Sequence, residues 1–245
     1  SPAVHDIPEG RTDCSLLGVT LITSSFPRYF GERDDYAGSF VYNLAYHLQR
    51  YMSVQVVAPH DVGAKTREKV HGVEIYRFRY AWPARAQALA YRDRMPTNFR
   101  KSPFHMLLLL PYMVAGFICT FKVCIRNKHS IPVAFWTLPQ GLIAFCVSRI
   151  LKRPYFVRLF PVEISLIESK YRFLRRLFYF VIKNAEAVFA NSQFTKDLCL
   201  KSFPSLDLSK ISVIHDGIDA STFQRRSREV LNIGSECSTG SRIIL

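Results

Sequence analysis

Apolar and polar residues alternate along the chain in blocks that predict strands followed by helices. The clearest block is the segment 133–163, where an apolar run ending at Trp136 precedes a helical pattern through Leu151 and a second apolar run after Pro154. This order predicts a strand-helix-strand unit. Open parallel sheets bind ligands at the carboxyl ends of their strands. We therefore expect the functional site at the loop that follows this unit, Phe160-Pro161-Val162-Glu163.

The rest of the chain repeats the same alternation. Apolar runs predict further strands at 16–23, 54–58, 73–78, 187–191 and 211–214. Helical spacing of apolar residues predicts helices from Phe40, over 106–121, over 168–184 and from the N-cap Ser192. The polar segment 60–70 is predicted to be a loop. Strands that alternate with helices are typical of an α/β fold with a Rossmann-like, doubly wound parallel sheet.

The two ends of the chain differ from this pattern. Residues 1–15 show no periodicity, and we expect a mobile tail there. Residues 16–223 are predicted to form one domain. Residues 224–245 are polar and then apolar, which predicts a linker and the first strand of a second, truncated domain.

The net charge of +14 is concentrated in one part of the chain. Between residues 100 and 185 there are 14 Lys and Arg residues, but only two acidic ones, Glu163 and Glu168. Such a surface favours an anionic partner, either a phosphorylated molecule, an anionic membrane or nucleic acid. We do not expect nucleic acid, because no nucleic-acid-binding module is present and the basic residues are dispersed among apolar helices.

Three segments leave two interpretations open. Residues 106–121 are uncharged, but they are shorter than the roughly 20 residues of a membrane span and contain Pro111, so we predict a buried or membrane-grazing helix. The basic and aromatic helix 168–184 is typical of either an interfacial helix or a core helix with a solvated face. Arginines and aromatics interleaved over 76–100 either clamp a phosphorylated ligand or cap the core.

The remaining sequence signals concern small ligands and the cellular compartment. The six cysteines form no CxxC pair and have no metal-ligand spacing with histidine, so we expect free thiols, an intracellular location and no metal. No basic and apolar leader precedes the first strand. Neither a GxGxxG fingerprint nor a P-loop occurs, and we expect no cofactor.

Six segments, taken in order, resemble a known family. They are SSFPRYFGERDDYAGSFVYNLAYHL, VQVVAPH, GVEIYRFRY, LPQGLIAFCVSRILKRPYFV, FANSQFTKDL and ISVIHDGIDASTF. Between about residues 16 and 223 the chain is similar to the N-terminal domain of retaining glycosyltransferases of the family 4 type, which have the two-domain GT-B architecture. The resemblance implies transfer of a sugar from a nucleotide-sugar donor to a sugar or lipid-linked acceptor.

The resemblance also implies where the substrates bind. In this family the loop after the first strand approaches the donor diphosphate or the acceptor, which assigns substrate binding to Arg33 and Gly38. Asp216 stands where the family usually has an asparagine, at the approach to the interdomain hinge. A tight turn with no ligand would explain Gly38 equally well.

The chain departs from the family at the expected site. Where the family commonly has His-Gly-x-Asp, this chain has the sequence that begins at Phe160, so the imidazole is absent. Glu163 is then the nearest carboxylate and the predicted catalytic residue, and Arg158 is the nearest cation. Trp136 lies where the family often has a histidine. Two aromatic replacements predict a more apolar mouth.

Three functional hypotheses follow. In the first, the chain is the acceptor-side domain of a glycosyltransferase that works on a membrane surface at the cytoplasmic side, and it is inactive without the domain that holds the donor. In the second, it is a non-catalytic binding or scaffold protein that kept the fold and lost the imidazole. The third, another Rossmann-like nucleotide binder, is disfavoured by the missing glycine fingerprint.

Overall fold

One mixed sheet forms the centre of the molecule. The computed structural model describes residues 17–30, 37–91 and 104–217. In these ranges the sheet has eight strands: β1 (Gly18–Ile22), β2 (Ser53–Pro59), β3 (Arg67–Val70), β4 (Val73–Phe78), β5 (Ser130–Phe135), β6 (Phe156–Leu159), β7 (Ala187–Ala190) and β8 (Ile211–Val213). Their order across the sheet is β3-β4-β2-β1-β5-β6-β7-β8. All neighbouring strands are parallel except β3 and β4.

Helices cover both faces of this sheet. They are α1 (Ser39–Leu48), α2 (Leu109–Arg126), α3 (Leu142–Leu151), α4 (Pro161–Ser169), α5 (Arg175–Asn184) and α6 (Gln193–Ser202), and a short helix, Phe104–Leu107, precedes α2. Leu21 packs with Val41 of α1, whereas its neighbour Ile22 packs with Ile143 of α3. Successive side chains of a strand point to opposite faces, so α1 and α3 lie on opposite sides. The predicted doubly wound α/β fold is confirmed.

The edge of the sheet corrects one prediction. The polar segment 60–70 was expected to be a loop, but its last four residues form β3, which pairs antiparallel with β4. The strand contains three charged residues and one apolar residue, so it lacks the apolar run that signals a buried strand. Arg67 lies over the ring of Tyr76, with 5.1 Å to the ring centroid. Charged residues suit an edge strand, because they discourage pairing with other chains.

Helix boundaries correct two further predictions. The sequence 160–163 was expected to be a loop, but a helix, α4, begins at Pro161, where a fixed φ favours a helix start. The predicted helix over 168–184 is divided: α4 ends at Ser169, and α5 begins only at Arg175, after a short 3₁₀ turn. The N-cap at Ser192 is confirmed, because its hydroxyl accepts the Thr195 N–H at 3.2 Å.

The basic and aromatic segment that follows β3 contributes to the core in its described part. Tyr76, Phe78, Tyr80 and Tyr91 are buried. Arg77 is buried as well, and its guanidinium is paired with Glu68 and donates to the Pro27 carbonyl at 2.8 Å. These contacts support the core-capping interpretation for residues 76–91. Residues 92–100 lie outside the described ranges.

Helix α2 is longer than the predicted 106–121 and packs along the sheet on one face. Tyr112, Gly116, Thr120, Val123 and Cys124 are its buried residues. In the described part of the chain it is the one helix long and apolar enough to cross a membrane by length and composition, a test that core helices of soluble proteins also pass. The four described cysteines, Cys119, Cys124, Cys146 and Cys199, are free thiols.

Candidate functional site

The loops after β5 and β6 meet at the carboxyl edge of the sheet, where the sequence predicted the site. The Trp136 N–H donates to the Arg158 carbonyl at 3.2 Å, which continues the pairing of the two strands. Beyond it, a helical turn, Thr137–Gly141, leads into α3, while β6 leads directly into α4. The two strand ends therefore bring Trp136, Phe160 and Glu163 into one small region.

Glu163 joins these two loops through its carboxylate. One oxygen, Oε2, accepts the Thr137 N–H at 2.7 Å, and Oε1 accepts the Phe160 N–H at 2.9 Å. The second contact satisfies a backbone donor at the start of α4. Burial raises the pKa of Glu163 to about 7, although the two N–H donors oppose that rise. Glu163 is therefore able to hold or release a proton near neutral pH.

Aromatic side chains surround this carboxylate clamp. The rings of Trp136 and Phe160 lie 4.7 Å apart between centroids and are tilted by 31°. Phe40 of α1 contacts Phe160 edge-on at 5.6 Å and Phe135 at 6.0 Å. We call Phe40, Phe135, Trp136 and Phe160 the aromatic cluster. Its presence agrees with the more apolar mouth that the sequence predicted.

Trp136 adopts an unusual backbone conformation within this cluster. Its φ is +83°, in the left-handed region that non-glycine residues rarely adopt. Backbone strain of this kind persists only where the surroundings fix it. Here the hydrogen bond from the Trp136 N–H and the packing on Phe160 fix it. The ring of Trp136 is half-buried, so part of it reaches solvent at the mouth of the site.

Arg158 and Asp216 form an ion pair at the same edge. The Arg158 Nη2 donates to Asp216 Oδ1 at 2.6 Å and to the Ile214 carbonyl at 3.0 Å. Arg158 is buried, whereas the side chain of Asp216 is 40% exposed. Among the described residues the buried Arg158 Nε has no hydrogen-bond partner. The pair ties the end of β6 to the segment that follows β8.

Gly38 lies where α1 begins and is buried against the loop that follows β1. Its φ is +71°, and a Cβ built at this position would lie 2.1 Å from the Ser25 carbonyl oxygen. Only glycine fits such an approach. The close approach at Gly38 is to the chain's own loop, which fits the alternative of a tight turn without a ligand. A contact from Gly38 to a substrate stays a prediction.

The structure brings most of the predicted site residues to one edge. Trp136, Arg158 and Glu163 lie at the ends of β5 and β6, and Asp216 joins them through its ion pair. Arg33 lies outside the described residues. No group of three or more His, Cys, Asp or Glu residues able to hold a metal ion occurs in the described ranges.

Two participants were not predicted from the sequence. Phe40 completes the aromatic cluster from helix α1, and Thr137 contributes the N–H that Glu163 binds. The position of Phe40, two residues after the glycine that begins α1, was the available signal for the first. For Thr137 there was no signal, because any residue except proline supplies a backbone N–H.

Comparison with known proteins identifies the fold. No protein-family model and no curated protein sequence matches the chain. Among solved structures, sucrose-phosphate synthase from Thermosynechococcus elongatus has a TM-score of 0.58 at 12% identity, covering 84% of this chain and 50% of its own. The Anabaena HepE protein in complex with UDP and glucose has a TM-score of 0.50 at 12% identity, covering 87% of this chain and 48% of its own.

At 12% identity these matches show similarity of fold only, and they extend over about half of each larger structure. A third similar structure, UDP-GlcNAc 2-epimerase from Methanocaldococcus jannaschii, has a TM-score of 0.42. The chain spans about half the length of the solved structures it resembles. Its fold is that of a single Rossmann-like half of a GT-B, glycosyltransferase-like structure.

Proposed function

We propose that the chain is the acceptor-side half of a glycosyltransferase that transfers a sugar from a nucleotide-sugar donor. The observation that carries the proposal is the match of nearly the whole chain to one half of structures such as HepE, which holds UDP and glucose. A GT-B half offers its strand ends to the cleft between the two halves. The clamp and the aromatic cluster lie at those strand ends.

The donor is held mainly by the other half in this proposal. Transfer from a nucleotide sugar requires the leaving diphosphate to be neutralised by donors or cations placed around it. The half described here contributes the wall that receives the sugar, with Arg33, Gly38 and Asp216 as substrate contacts. Retention of the anomeric configuration and membership of the family 4 type rest on the sequence resemblance.

The acceptor is positioned by the aromatic cluster in this proposal. The apolar face of a sugar ring or a lipid segment packs on aromatic rings, and the exposed part of Trp136 faces solvent at the mouth. Glu163 accepts the proton that the acceptor hydroxyl loses as its oxygen bonds to the sugar and the nucleoside diphosphate leaves, for which its pKa of about 7 is suited. Arg158, whose buried Nε–H has no hydrogen-bond partner among the described residues, stabilises negative charge near the hinge.

We further propose that the acceptor is a lipid-linked molecule at the cytoplasmic face of a membrane. The concentration of 14 basic residues between positions 100 and 185 supports an anionic surface as the partner. The free thiols at the described cysteines fit a reducing compartment.

The test is an assay of the protein encoded by the complete reading frame. Release of nucleoside diphosphate is measured with UDP-, GDP- and ADP-sugars, each with free sugars, polyprenyl phosphate and detergent extracts of membranes as acceptors. We expect release that depends on both donor and acceptor. NMR of the product anomer then decides between retention and inversion. Absence of acceptor-dependent release, together with absence of donor binding by calorimetry, would overturn the glycosyltransferase proposal.

A second candidate function is a non-catalytic binding protein with this fold. It is favoured by two features: both oxygens of Glu163 already accept backbone N–H groups, and Phe160 stands where the resembled family commonly has a histidine. In this alternative the complete protein binds a sugar or a nucleotide sugar without turnover. Calorimetric binding without any release of nucleoside diphosphate would establish it.

A further inference from the structure

Helix α2 buries only one of its two apolar faces. Its buried residues recur at helical spacing, and the series includes Tyr112, Gly116, Thr120 and Val123. Tyr112 packs edge-on against Phe78 and Tyr80, and Gly116 approaches Ile143 of α3. This inner face packs the helix on the sheet, so the helix lies along the domain.

The opposite face of the helix is apolar and exposed. We call it the outer stripe; its residues are Leu110, Val114, Ile118 and Ile125 of α2, preceded by Leu107 of the short helix before it, with exposed fractions of 72%, 49%, 44%, 47% and 69%. Those in α2 recur every four or seven residues, which places them on one side of the helix. Single exposed apolar residues are ordinary, but a contiguous row of this length marks an interaction surface.

The outer stripe begins at the same edge of the sheet as the candidate site. Helix α2 connects the end of β4 to the start of β5, and the two strands run in the same direction across the sheet. A crossover helix between parallel strands runs opposite to them. The first residues of α2 therefore lie at the carboxyl edge, and the row extends about 23 Å from Leu110 to Ile125 at the helical rise per residue.

Basic side chains gather at the far end of the outer stripe. Lys122, Arg126 and Lys128 are exposed there. The end of α3 lies beside them, because the Arg153 Nη1 donates to the Cys124 carbonyl at 2.9 Å and to the Asn127 carbonyl at 3.3 Å. That end adds exposed Arg149 and Lys152.

Among the described residues, one acid lies close to these cations: the exposed Glu186, which lines a cavity with Arg149 and Lys152. The sequence from residue 104 to residue 162 has no Asp or Glu. An apolar row next to five cations matches a bilayer surface, where apolar side chains enter the boundary of headgroups and acyl chains and cations meet anionic headgroups. A second copy of this chain would bring the same cations to the interface and no acidic residue from this segment to balance them.

We propose that the outer stripe lies in the interfacial layer of an anionic membrane, with Lys122, Arg126, Lys128, Arg149 and Lys152 on its headgroups. This inference names the surface by which the protein would contact the membrane of the proposed function, and its functional meaning rests on that proposed function. Because the stripe begins at the site edge, a lipid-linked acceptor embedded in the same membrane reaches the cleft without leaving the bilayer.

The test is sedimentation of the protein with vesicles, and it involves no sugar transfer. Vesicles of phosphatidylcholine are compared with vesicles that also contain phosphatidylglycerol. We expect the partition coefficient to be about tenfold or more higher for the anionic vesicles and to fall as salt is raised. Leu110→Gln/Val114→Gln/Ile118→Gln is expected to lose about tenfold or more of the binding. Lys122→Gln/Arg126→Gln/Lys128→Gln is expected to lose the preference for anionic vesicles.

A matched triple variant controls for loss of exposed apolar residues elsewhere. Trp82, Phe194 and Leu208 are 81%, 66% and 61% exposed and lie outside α2. Trp82→Gln/Phe194→Gln/Leu208→Gln is expected to bind vesicles like the wild type. Circular dichroism checks folding of each variant; should the stripe triple unfold, Leu110→Gln alone, at the most exposed position, provides the comparison.

Three results would overturn the inference. They are no binding of the wild type to anionic vesicles, unchanged binding of the stripe variant, or equal losses in the stripe and control variants. Light scattering without lipid adds a fourth: a wild-type dimer that the stripe variant converts to monomer would assign the surface to self-association. A failure in these measurements leaves the donor-dependent transfer assay unaffected, so the two proposals fail separately.

Discussion

Glu163 shows how one residue can hold a site together and still be available for chemistry. Its carboxylate accepts N–H groups from the loops after β5 and β6, so removal of the side chain leaves two buried donors unpaired. Unpaired buried donors cost roughly 1–3 kcal/mol each. The same burial that makes the clamp important raises the pKa of Glu163 to about 7. Burial of Glu163 therefore explains both the importance of its two hydrogen bonds and its raised proton affinity.

The pKa of Glu163 predicts how stability depends on pH. The carboxyl binds its proton more tightly in the folded chain than at its ordinary pKa of 4.5. The stabilisation by protonation is therefore complete below about pH 4.5 and is lost as pH rises through about 7. The shift corresponds to roughly 3 kcal/mol. We expect the free energy of unfolding in urea to fall over this interval, and to do so less in Glu163→Gln.

An exposed glutamate provides the control for this experiment. Glu168 lies at the end of α4, where its carboxylate pairs with Arg175 at the surface. In Glu168→Gln the free energy of unfolding is expected to fall with pH as steeply as in the wild type between pH 5 and pH 8. This interval is set by the ordinary and raised pKa values of Glu163. Equal slopes for Glu163→Gln and the wild type would contradict the assigned pKa.

Gly38 allows a second prediction at this scale. Gly38→Ala places a Cβ 2.1 Å from the Ser25 carbonyl oxygen, at a φ of +71° that alanine rarely adopts. We expect a loss of about 2 kcal/mol or more in the free energy of unfolding. Gly217→Ala is the matched control, since nothing lies within 4 Å of its added Cβ. Similar effects for both variants would show that the contact with Ser25 is not the cause.

At the scale of elements, the sequence predicted the strands and helices that bury apolar residues. It missed elements that are held mainly by backbone hydrogen bonds. The strand-helix-strand unit was predicted because both of its strands and one face of α3 are apolar. The edge strand β3 and the start of α4 were missed. The first consists mostly of charged residues, and the second begins at a proline, which is equally common in loops.

Tyr112 links α2 to the turn before α3 and provides a prediction for that contact. Its hydroxyl accepts the Gln140 Nε2–H at 3.0 Å in the interior. Tyr112→Phe leaves that donor buried and unpaired, so we expect a loss of about 1–3 kcal/mol in the free energy of unfolding. The exposed Tyr51, changed to phenylalanine, serves as the control. An unchanged urea midpoint for Tyr112→Phe would mean that water replaces the lost partner.

At the scale of the whole molecule, the chain corresponds to half of the structures that it resembles. The sequence alone predicted the α/β layering, because alternation of strands and helices is sufficient for that. It placed four of the predicted site residues, Trp136, Arg158, Glu163 and Asp216, at one edge of the sheet, and their role there stays a prediction. It could not predict which strand-end residues would bind each other, since the Arg158–Asp216 pair joins positions far apart in the chain.

The proposed division of labour predicts a difference between this chain and the complete protein. We expect residues 1–245 alone to bind the acceptor and to release no nucleoside diphosphate, because the diphosphate is neutralised by the other half. Calorimetry with the acceptor identified in the transfer assay measures the first, and a coupled assay of nucleoside diphosphate measures the second. Turnover by residues 1–245 alone would refute the division.

The placement of Trp136 beside Phe160 makes the protein its own optical reporter. The chain has two tryptophans, and the other, Trp82, is 81% exposed, so its emission is that of a water-bathed indole. In Trp82→Phe all tryptophan fluorescence would come from Trp136 at the candidate site. A ligand that settles on the aromatic cluster should then shift the emission to shorter wavelength, and its arrival could be followed in a stopped-flow cell without any label.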